Sequence, residues 1–308
     1  ERRSDEALFG YVVGPQSPKT NLHPAEVVIW AGKATKEGFA ALPLPEAPRL
    51  AFFGIRPCEL AAIGIQDRVF LSGHSDAVYG PRRANAFLVA VNCTEPGGTC
   101  FCTSMGTGPG VKAGFDIALT EVIDGKEHYF TAEAGSERGA EVLAAADAAD
   151  AKKGQVKRAE ELVAAAAGKM GRTMNTAGLA ALLRQNLEHA RWAEVAKRCL
   201  TCSNCTLVCP TCFCSNVEDT TDLSGRQAER VRRWDSCFNY EFSLIHGGPH
   251  RASAAARYRQ WMTHKLAWWF DQFGTSGCVG CGRCITWCPV GIDITAEAAA
   301  IRGEQEVV

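Results

Sequence analysis

The sequence has 308 residues, of which 46% are hydrophobic and 22% charged, and its formal net charge is −1. This is the mixture of a folded globular protein, so wholesale disorder is excluded, and the charge gives no general reason to expect a nucleic-acid partner. No stretch approaches the roughly 20 apolar residues that a membrane-spanning helix needs. We therefore predict a chain with no membrane span and no nucleic-acid partner.

Residues 1–138 are predicted to form a mixed α/β domain. Apolar runs at 51–55 and 86–91, bounded by Gly and Pro, are typical of buried strands. The stretch 59–65 follows Arg56-Pro57 and predicts a helix with proline in its first turn. The Asp-Gly pair inside 116–130 predicts a hairpin there.

Residues 139–198 are rich in alanine, with Glu, Lys, Arg and Leu between, and contain neither Pro nor Cys. This composition favours a helical connector of two or three helices, broken near Gly168–Gly178. After the connector we expect short helices threaded between cysteine clusters. The overall fold class is therefore predicted as α+β.

The 15 cysteines are the unusual feature of the composition. An odd number cannot pair completely within one chain, and eleven of them lie within 199–288. Disulfide-stapled secreted proteins do not distribute cysteine in this way. The pattern indicates a reducing, cytoplasmic compartment in which thiolates bind metal.

Two segments within 199–308 share the spacing C-x2-C-x2-C-x3-C-P, by which bacterial ferredoxins hold two [4Fe-4S] clusters. In that arrangement the fourth cysteine of each segment binds the cluster of the other segment. We therefore predict an α-helical, ferredoxin-like dicluster domain with a long insertion at 210–277. The first predicted ligand set is Cys199, Cys202, Cys205 and Cys288, and the second is Cys278, Cys281, Cys284 and Cys209.

Structural zinc is the alternative for paired C-x2-C spacing. Zinc takes four ligands, however, and usually from two separated pairs. Two runs of four cysteines, each followed by proline, fit zinc poorly, so iron–sulfur clusters are favoured.

Four further cysteines predict a third cluster in the first domain. Cys58 and Cys93 each follow a predicted strand, and Cys100 and Cys102 follow a tight Pro-Gly-Gly loop. Strand ends converge on one rim of an α/β sheet, which would bring these thiols together. The alternative is that Cys58 and Cys93 are ordinary buried thiols that pack as small hydrophobes.

Cys212, Cys214 and Cys237 remain unassigned. Thr211-Cys212-Phe213-Cys214 repeats the earlier Thr99-Cys100-Phe101-Cys102, which favours a metal-related role. Three thiols leave a cluster one ligand short, and His246, His250, a partner chain or nothing could complete it. A purely structural role stays an equal alternative, because buried free cysteines are common.

The insertion is rich in arginine and tryptophan, which can bind single-stranded nucleic acid. Cations that offset anionic clusters and tryptophans that shield them from water give a simpler interpretation. The sequence has no phosphate-binding loop, dinucleotide fingerprint or hydrolase elbow. We therefore expect a chain that carries electrons and has no catalytic residues of its own.

The sequence resembles the β subunit of group 3b NAD(P)-linked [NiFe] hydrogenases (sulfhydrogenases) and the electron-transfer subunit of anaerobic sulfite reductase. The resemblance is carried by residues 53–63, 66–71, 99–109 and 135–139 and by the stretch from Cys199 to Thr295, including Trp234-Asp235-Ser236-Cys237-Phe238. It covers most of the chain except the connector. These motifs do not separate the two branches.

The resemblance implies an electron-transfer protein with several [4Fe-4S] clusters, part of a multisubunit oxidoreductase complex. It implies docking to a γ subunit that binds flavin and NAD(P) and, in the hydrogenase branch, to the [NiFe] small and large subunits. Members of the family usually have further residues before the position of Glu1. A second hypothesis is a sulfur- or polysulfide-reducing site built on Cys212, Cys214 and Cys237.

Overall fold

The computed structural model describes residues 5–125 and 127–303. The first elements, in chain order, are α1 (Lys19–Leu22), β1 (Glu26–Thr35), β2 (Gly38–Ala41), β3 (Leu50–Ile55), α2 (Pro57–Phe70), α3 (Tyr79–Ala84), β4 (Ala86–Val91), β5 (Ile117–Asp124) and β6 (Glu127–Ala134). The connector follows with α4 (Glu137–Ala145), α5 (Lys153–Ala167), α6 (Leu179–Gln185) and α7 (Arg191–Arg198).

The elements after residue 198 contain or flank the two cysteine motifs. They are α8 (Asn204–Leu207), β7 (Ser215–Thr221), β8 (Gln227–Trp234), a 3-10 turn (Glu241–Ser243), β9 (Leu244–Ile245), β10 (Gly248–Pro249), α9 (Ala254–Thr263), a π-helical turn (His264–Trp268), α10 (Trp269–Phe273), α11 (Arg283–Thr286) and α12 (Ile294–Arg302).

Strands β3, β4, β5 and β6 form one sheet in that order. The first three strands are parallel and β6 closes the sheet antiparallel, as a hairpin with Gly125 at φ 62°. Helix α2 begins at Pro57, and the Glu59 carboxylate accepts a 2.9 Å hydrogen bond from the Arg56 N–H, which caps the helix. The predicted strands, helix and hairpin are confirmed, and so is the mixed α/β class.

A second sheet has the order β2-β1-β8-β7 and is antiparallel throughout. Its strands β7 and β8 come from the insertion, and β8 pairs with β1 in a register that includes Val28 opposite Val231. The expectation of only short helices after the connector was therefore wrong for 215–234. The Asp222 carboxylate closes the β7–β8 turn by accepting hydrogen bonds from the Arg226 and Gln227 N–H groups, at 2.8 and 3.0 Å.

The connector is helical, as predicted, but it has more breaks than predicted. Residues 137–198, all of them described, form four helices, with interruptions at 146–152 and 186–190 besides the predicted one. Asp147 follows α4 with φ 51°, a left-handed conformation that does not continue a right-handed helix. The domain boundaries at 138 and 198 stay a prediction.

Three groups of buried side chains hold the chain together. One lies under the β3–β6 sheet, and one surrounds the first cysteine motif with Trp192, Phe238 and Trp261. The third joins Ala62 and Ile65 of α2 to Trp269 and Val279. This third cluster places the second cysteine motif against α2 and the loop that carries Cys102.

None of the helices in 5–125 and 127–303 has the length and apolar character that a membrane crossing requires.

Candidate metal centres

The two ferredoxin-type motifs have matching backbone conformations. The residue before the second cysteine and the residue after it both have positive φ in each motif, at Thr201 (51°) and Ser203 (68°) and at Gly280 (65°) and Gly282 (73°). The third cysteine then lies on a one-turn helix, α8 or α11. Such a loop wraps three thiols around one point and directs backbone N–H groups inward.

Glycine is required in the second motif for a further reason. A Cβ at Gly282 would lie 2.3 Å from the carbonyl oxygen of Thr99, and one at Gly280 would lie 2.6 Å from the backbone of Phe101. The Phe101 N–H also donates a 2.8 Å hydrogen bond to the Gly280 carbonyl. The second motif therefore packs backbone to backbone against the loop that carries Cys100 and Cys102.

The thiols of the first predicted set line one pocket that is open to solvent. We call Cys199, Cys202, Cys205 and Cys288 centre 1. Phe238, Tyr258 and Trp261 form the apolar wall of the cavity, so Trp261 shields the site as expected. The Ile292 N–H lies 3.3 Å from the Cys288 sulfur, within reach of an N–H···S hydrogen bond. Cys202 is exposed to solvent.

The second predicted set, Cys209, Cys278, Cys281 and Cys284, is called centre 2. Burial raises the pKa of Cys278 to about 12, and the nearby thiols Cys281 and Cys209 act in the same direction. Burial raises the pKa of Cys284 well above its usual range, and the other three thiols act in the same direction. The Gly280 N–H lies 3.4 Å from the Cys278 sulfur. Cys209, Cys278 and Cys281 are buried and Cys284 is half-buried, so the structure brings the four thiols to one region of the protein.

The four cysteines predicted for the first domain line one pocket that is open to solvent. We call Cys58, Cys93, Cys100 and Cys102 centre 3. Cys58 lies in the first turn of α2 directly after β3, and Cys93 follows β4, so the parallel strand ends converge as predicted. Burial raises the pKa of Cys58 well above its usual range and that of Cys102 to about 12.

The three centres are in contact through centre 2. Cys281 of centre 2 forms part of the wall of the centre 3 cavity, together with Met170 and Gly280. Cys284 of centre 2 forms part of the wall of the centre 1 cavity. Centre 2 therefore lies between the other two.

The residues present fit iron–sulfur clusters. The donors are sulfur at all three centres, in sets of four, which is the ligand set of a [4Fe-4S] cluster. Buried thiols with raised pKa values ionise only when a positive charge compensates, and iron supplies that charge. Within the described ranges, no three His, Cys, Asp or Glu side chains are arranged to hold a single metal ion, whereas the thiols of centres 1 and 3 surround open cavities.

The remaining thiols, Cys212, Cys214 and Cys237, lie beside centre 2. Cys214 precedes β7, and its carbonyl accepts a 2.9 Å hydrogen bond from the Asp235 N–H at the end of β8. A hydrogen bond from Cys237 lowers the pKa of Cys214 to about 7. His246 and His250 lie around the β9–β10 hairpin and are exposed, and among the described residues no contact joins them to these thiols.

The sequence indicated cations such as Lys265 near the clusters, but it predicted neither the burial of these cations nor a role for Lys19. The Lys265 ammonium lies 3.3 Å from the Cys209 sulfur and 3.4 Å from the Cys212 sulfur. Lys19 is buried nearby, where it donates to the Leu207 carbonyl at 3.0 Å and lies 3.9 Å from the centre of the Trp234 ring. The Arg56 guanidinium lies 3.9 Å from the Cys93 sulfur. Nothing in the local sequence distinguishes these cations from surface ones.

Other basic residues of the insertion are paired with carboxylates. Arg230 pairs with Asp219 at 2.7 Å, and Arg233 pairs with both Glu26 and Glu218. These pairs bind the β7–β8 hairpin together and to β1. The two arginines therefore stabilise the pairing of β8 with β7 and β1.

Comparison with known proteins agrees with this geometry. A protein-family model described as "4Fe-4S dicluster domain" matches residues 198–292, which contain all eight cysteines of centres 1 and 2 and none of centre 3. The chain is 36% identical to sulfhydrogenase 2 subunit beta of Pyrococcus furiosus over 248 residues, which is 80% of this chain and 72% of that protein. No solved structure matches the chain.

The family match covers the cysteine motifs, and the curated relative extends the likeness beyond them. The chain therefore belongs to the sulfhydrogenase β-subunit family, and it is an iron–sulfur electron-transfer protein that carries a 4Fe-4S dicluster domain.

Proposed function

We propose that the chain relays electrons through three [4Fe-4S] clusters within a multisubunit NAD(P)-linked [NiFe] hydrogenase, or sulfhydrogenase. The observation that supports this most strongly is the position of centre 2, whose Cys281 and Cys284 form part of the walls of the two neighbouring sites. Clusters bound there would supply one-electron transfer. The protein keeps the middle site dry and brings the outer sites to the surface.

The ligand sets we propose are those that surround each centre. Centres 1 and 2 exchange their fourth cysteines, Cys288 and Cys209, so that each motif contributes to both. Centre 3 takes its ligands from two strand ends and one loop. N–H groups at Gly280 and Ile292 hydrogen-bond to ligand sulfurs, which stabilises the more negative, reduced state of a cluster.

The two outer centres are the proposed contact points for partner subunits. Cys202 of centre 1 is exposed, as is the neighbouring Leu200 at 62%. On the far side, Tyr11 and Val12 line the centre 3 cavity and are 52% and 55% exposed. One end would face the flavin- and NAD(P)-binding γ subunit, while the other would face the [NiFe] hydrogenase small subunit, with its large subunit beyond. We place this assembly in the cytoplasm.

Iron analysis of the anaerobically isolated protein tests the number of clusters. Three clusters correspond to about 12 Fe per chain, and the ferredoxin pair alone to about 8. We expect Cys93→Ser to remove about 4 Fe or to perturb one cluster spectroscopically, while the matched variant Cys237→Ser keeps the full iron content. A wild-type protein with about 8 Fe, unchanged by Cys93→Ser, would reject centre 3.

Sulfur or polysulfide reduction at Cys212, Cys214 and Cys237 is the second candidate. It is favoured by the low pKa of Cys214 and by the two buried lysines beside Cys212, which suit an anionic sulfur species. Cys237→Ser should then abolish polysulfide reduction by the complex with the clusters intact. Unchanged activity would reject this candidate.

Nickel in the co-purified complex separates the hydrogenase assignment from the alternative, the electron-transfer subunit of anaerobic sulfite reductase.

A further inference from the structure

Lys265 is a buried lysine that lies in a π-helical turn of the backbone. This turn connects α9 and α10, and Lys265 is only 3% exposed. Its carbonyl accepts a 2.8 Å hydrogen bond from the Gly277 N–H, directly before Cys278. Single π-turns inside α-helices often occur at functional sites. The turn therefore fixes Lys265 against the start of the second cysteine motif.

Its ammonium group has four hydrogen-bond acceptors. They are the sulfurs of Cys209 and Cys212 at 3.3 and 3.4 Å, the Thr211 hydroxyl at 3.1 Å and the Gly277 carbonyl at 3.0 Å. None of these four is a carboxylate. A buried ammonium is costly unless an anion accompanies it, and the sulfur of Cys209, a proposed ligand of centre 2, carries that charge when a cluster is bound.

Two further buried cations lie near centre 2. Lys19 donates to the Leu207 carbonyl, and no hydrogen bond joins it to a ligand sulfur in the described part of the chain. Arg283 differs from Lys265 in another respect. The Arg283 guanidinium interacts electrostatically with the Cys281 sulfur, but it also donates a 2.5 Å hydrogen bond to the Glu59 carboxylate. The Arg283–Glu59 pair therefore has little net charge. Among the described residues, Lys265 is thus the cation without a carboxylate partner that contacts a ligand sulfur of centre 2. At centre 1, by comparison, Cys202 is open to water, which screens nearby charges.

We propose that Lys265 raises the reduction potential of the middle centre through its contact with the Cys209 sulfur, so that an electron is held in the interior between the two exposed ends. This inference rests on the proposed relay. A fixed positive charge stabilises the reduced cluster more than the oxidised one because the reduced cluster is one charge more negative. Lys265 is a positioning residue, since it acts through the ligand sulfur.

The test is an EPR-monitored redox titration of the anaerobically purified full chain. Lys265→Gln retains an N–H donor but removes the charge, and Lys265→Arg retains the charge. Lys157→Met, an exposed lysine on α5, is the matched control. The wave of centre 2 is identified as the one that Cys278→Ser removes or alters.

We expect Lys265→Gln to make the reduction of centre 2 at least tenfold less favourable, which is about 59 mV for a one-electron couple. The potentials of the other two centres and the iron content should be unchanged. The centre 2 potential of Lys265→Arg should be closer to the wild-type value than that of Lys265→Gln. An unchanged centre 2 wave in Lys265→Gln would overturn the inference, as would loss of the cluster in that variant, which indicates a structural role. Protein without iron would instead reject the proposed function itself.

Discussion

The guanidinium of Arg283 donates a 2.5 Å hydrogen bond to the carboxylate of Glu59, although the two residues are 224 positions apart in the chain. Both side chains are buried. Glu59 also caps α2, and Arg283 follows Gly282 in the second cysteine motif and donates to the carbonyls of Gly14 and Gln16. This one ion pair therefore locks centre 2 to the helix that carries Cys58 of centre 3.

Glu59→Gln should destabilise the protein strongly, because it leaves the Arg283 guanidinium buried without its carboxylate partner. Loss of one partner of a buried ion pair costs about 3–5 kcal/mol. Denaturant unfolding under anaerobic conditions measures this free energy. The control is Asp219→Asn, which breaks the exposed pair with Arg230 and should leave stability close to wild type. Equal effects of the two variants would contradict the assigned role of the buried pair.

Gly282→Ala should displace the second motif and reduce the iron content of centre 2. An alanine there has a strained positive φ and places its Cβ 2.3 Å from the Thr99 carbonyl oxygen. Gly291→Ala is the matched control, because Gly291 also has positive φ (66°) but has no neighbouring atom within 4 Å of the added Cβ. The control should lose only about 1–2 kcal/mol of stability and keep its iron. Iron per chain and unfolding free energy distinguish the two.

Ser203 occupies the position in the first motif that Gly282 occupies in the second, and it should tolerate substitution. Ser203 has φ 68° with a side chain, which costs free energy that glycine would not lose. Ser203→Gly should therefore be tolerated, with full iron content and unchanged or slightly higher stability. Iron loss in Ser203→Gly would show that the serine side chain, and not the backbone conformation, is needed there.

His23 should make the protein less stable as the pH falls. It packs between Phe70 and Trp234, and neither ring nitrogen has a hydrogen-bond partner in the described part of the chain. Burial lowers the pKa of His23 to about 3, and the charges of Arg232 and Lys19 act in the same direction. The imidazole is therefore neutral in the folded protein, whereas the unfolded chain takes up a proton below pH 6.5.

Because the unfolded state binds the extra proton, the contribution of His23 is fully present above pH 6.5 and decreases towards pH 3. At one pH unit below the unfolded pKa the loss is about 1.4 kcal/mol. The fall in unfolding free energy between about pH 7.5 and about pH 5.5 should be smaller by about that amount in His23→Phe than in wild type. An identical pH dependence in both proteins would show that His23 titrates normally.

The cysteine sets were the part of the candidate site most accessible from sequence. Two runs with ferredoxin spacing specify eight thiols: local chain reach groups the first three of each run, and the ferredoxin pattern assigns the fourth to the other run. Cys58 and Cys93 could be grouped because each follows a parallel strand, and parallel strand ends share one edge. The structure brings each of these sets together, while their role as ligands stays our proposal.

Other features depend on contacts between distant segments, which local patterns do not encode. The pairing of β8 with β1 joins residues about 200 positions apart, and the insertion offered no signal for its partner strand. Similarly, the burial of Lys265 results from a π-helical turn and from the loop at Gly277. A lysine flanked by histidine and leucine has the same local sequence whether it lies inside or outside. The extra breaks in the connector were also missed, since alanine-rich sequence favours helix throughout.

Magnetic coupling between reduced centres tests the relay most directly. If centre 2 lies between centres 1 and 3, the EPR spectrum of the fully reduced protein should show spin–spin interaction, and Cys281→Ser should replace it with the signals of two uncoupled outer clusters. Uncoupled signals in the fully reduced wild-type protein, or coupling that persists after the loss of centre 2, would contradict the proposed order of the three centres.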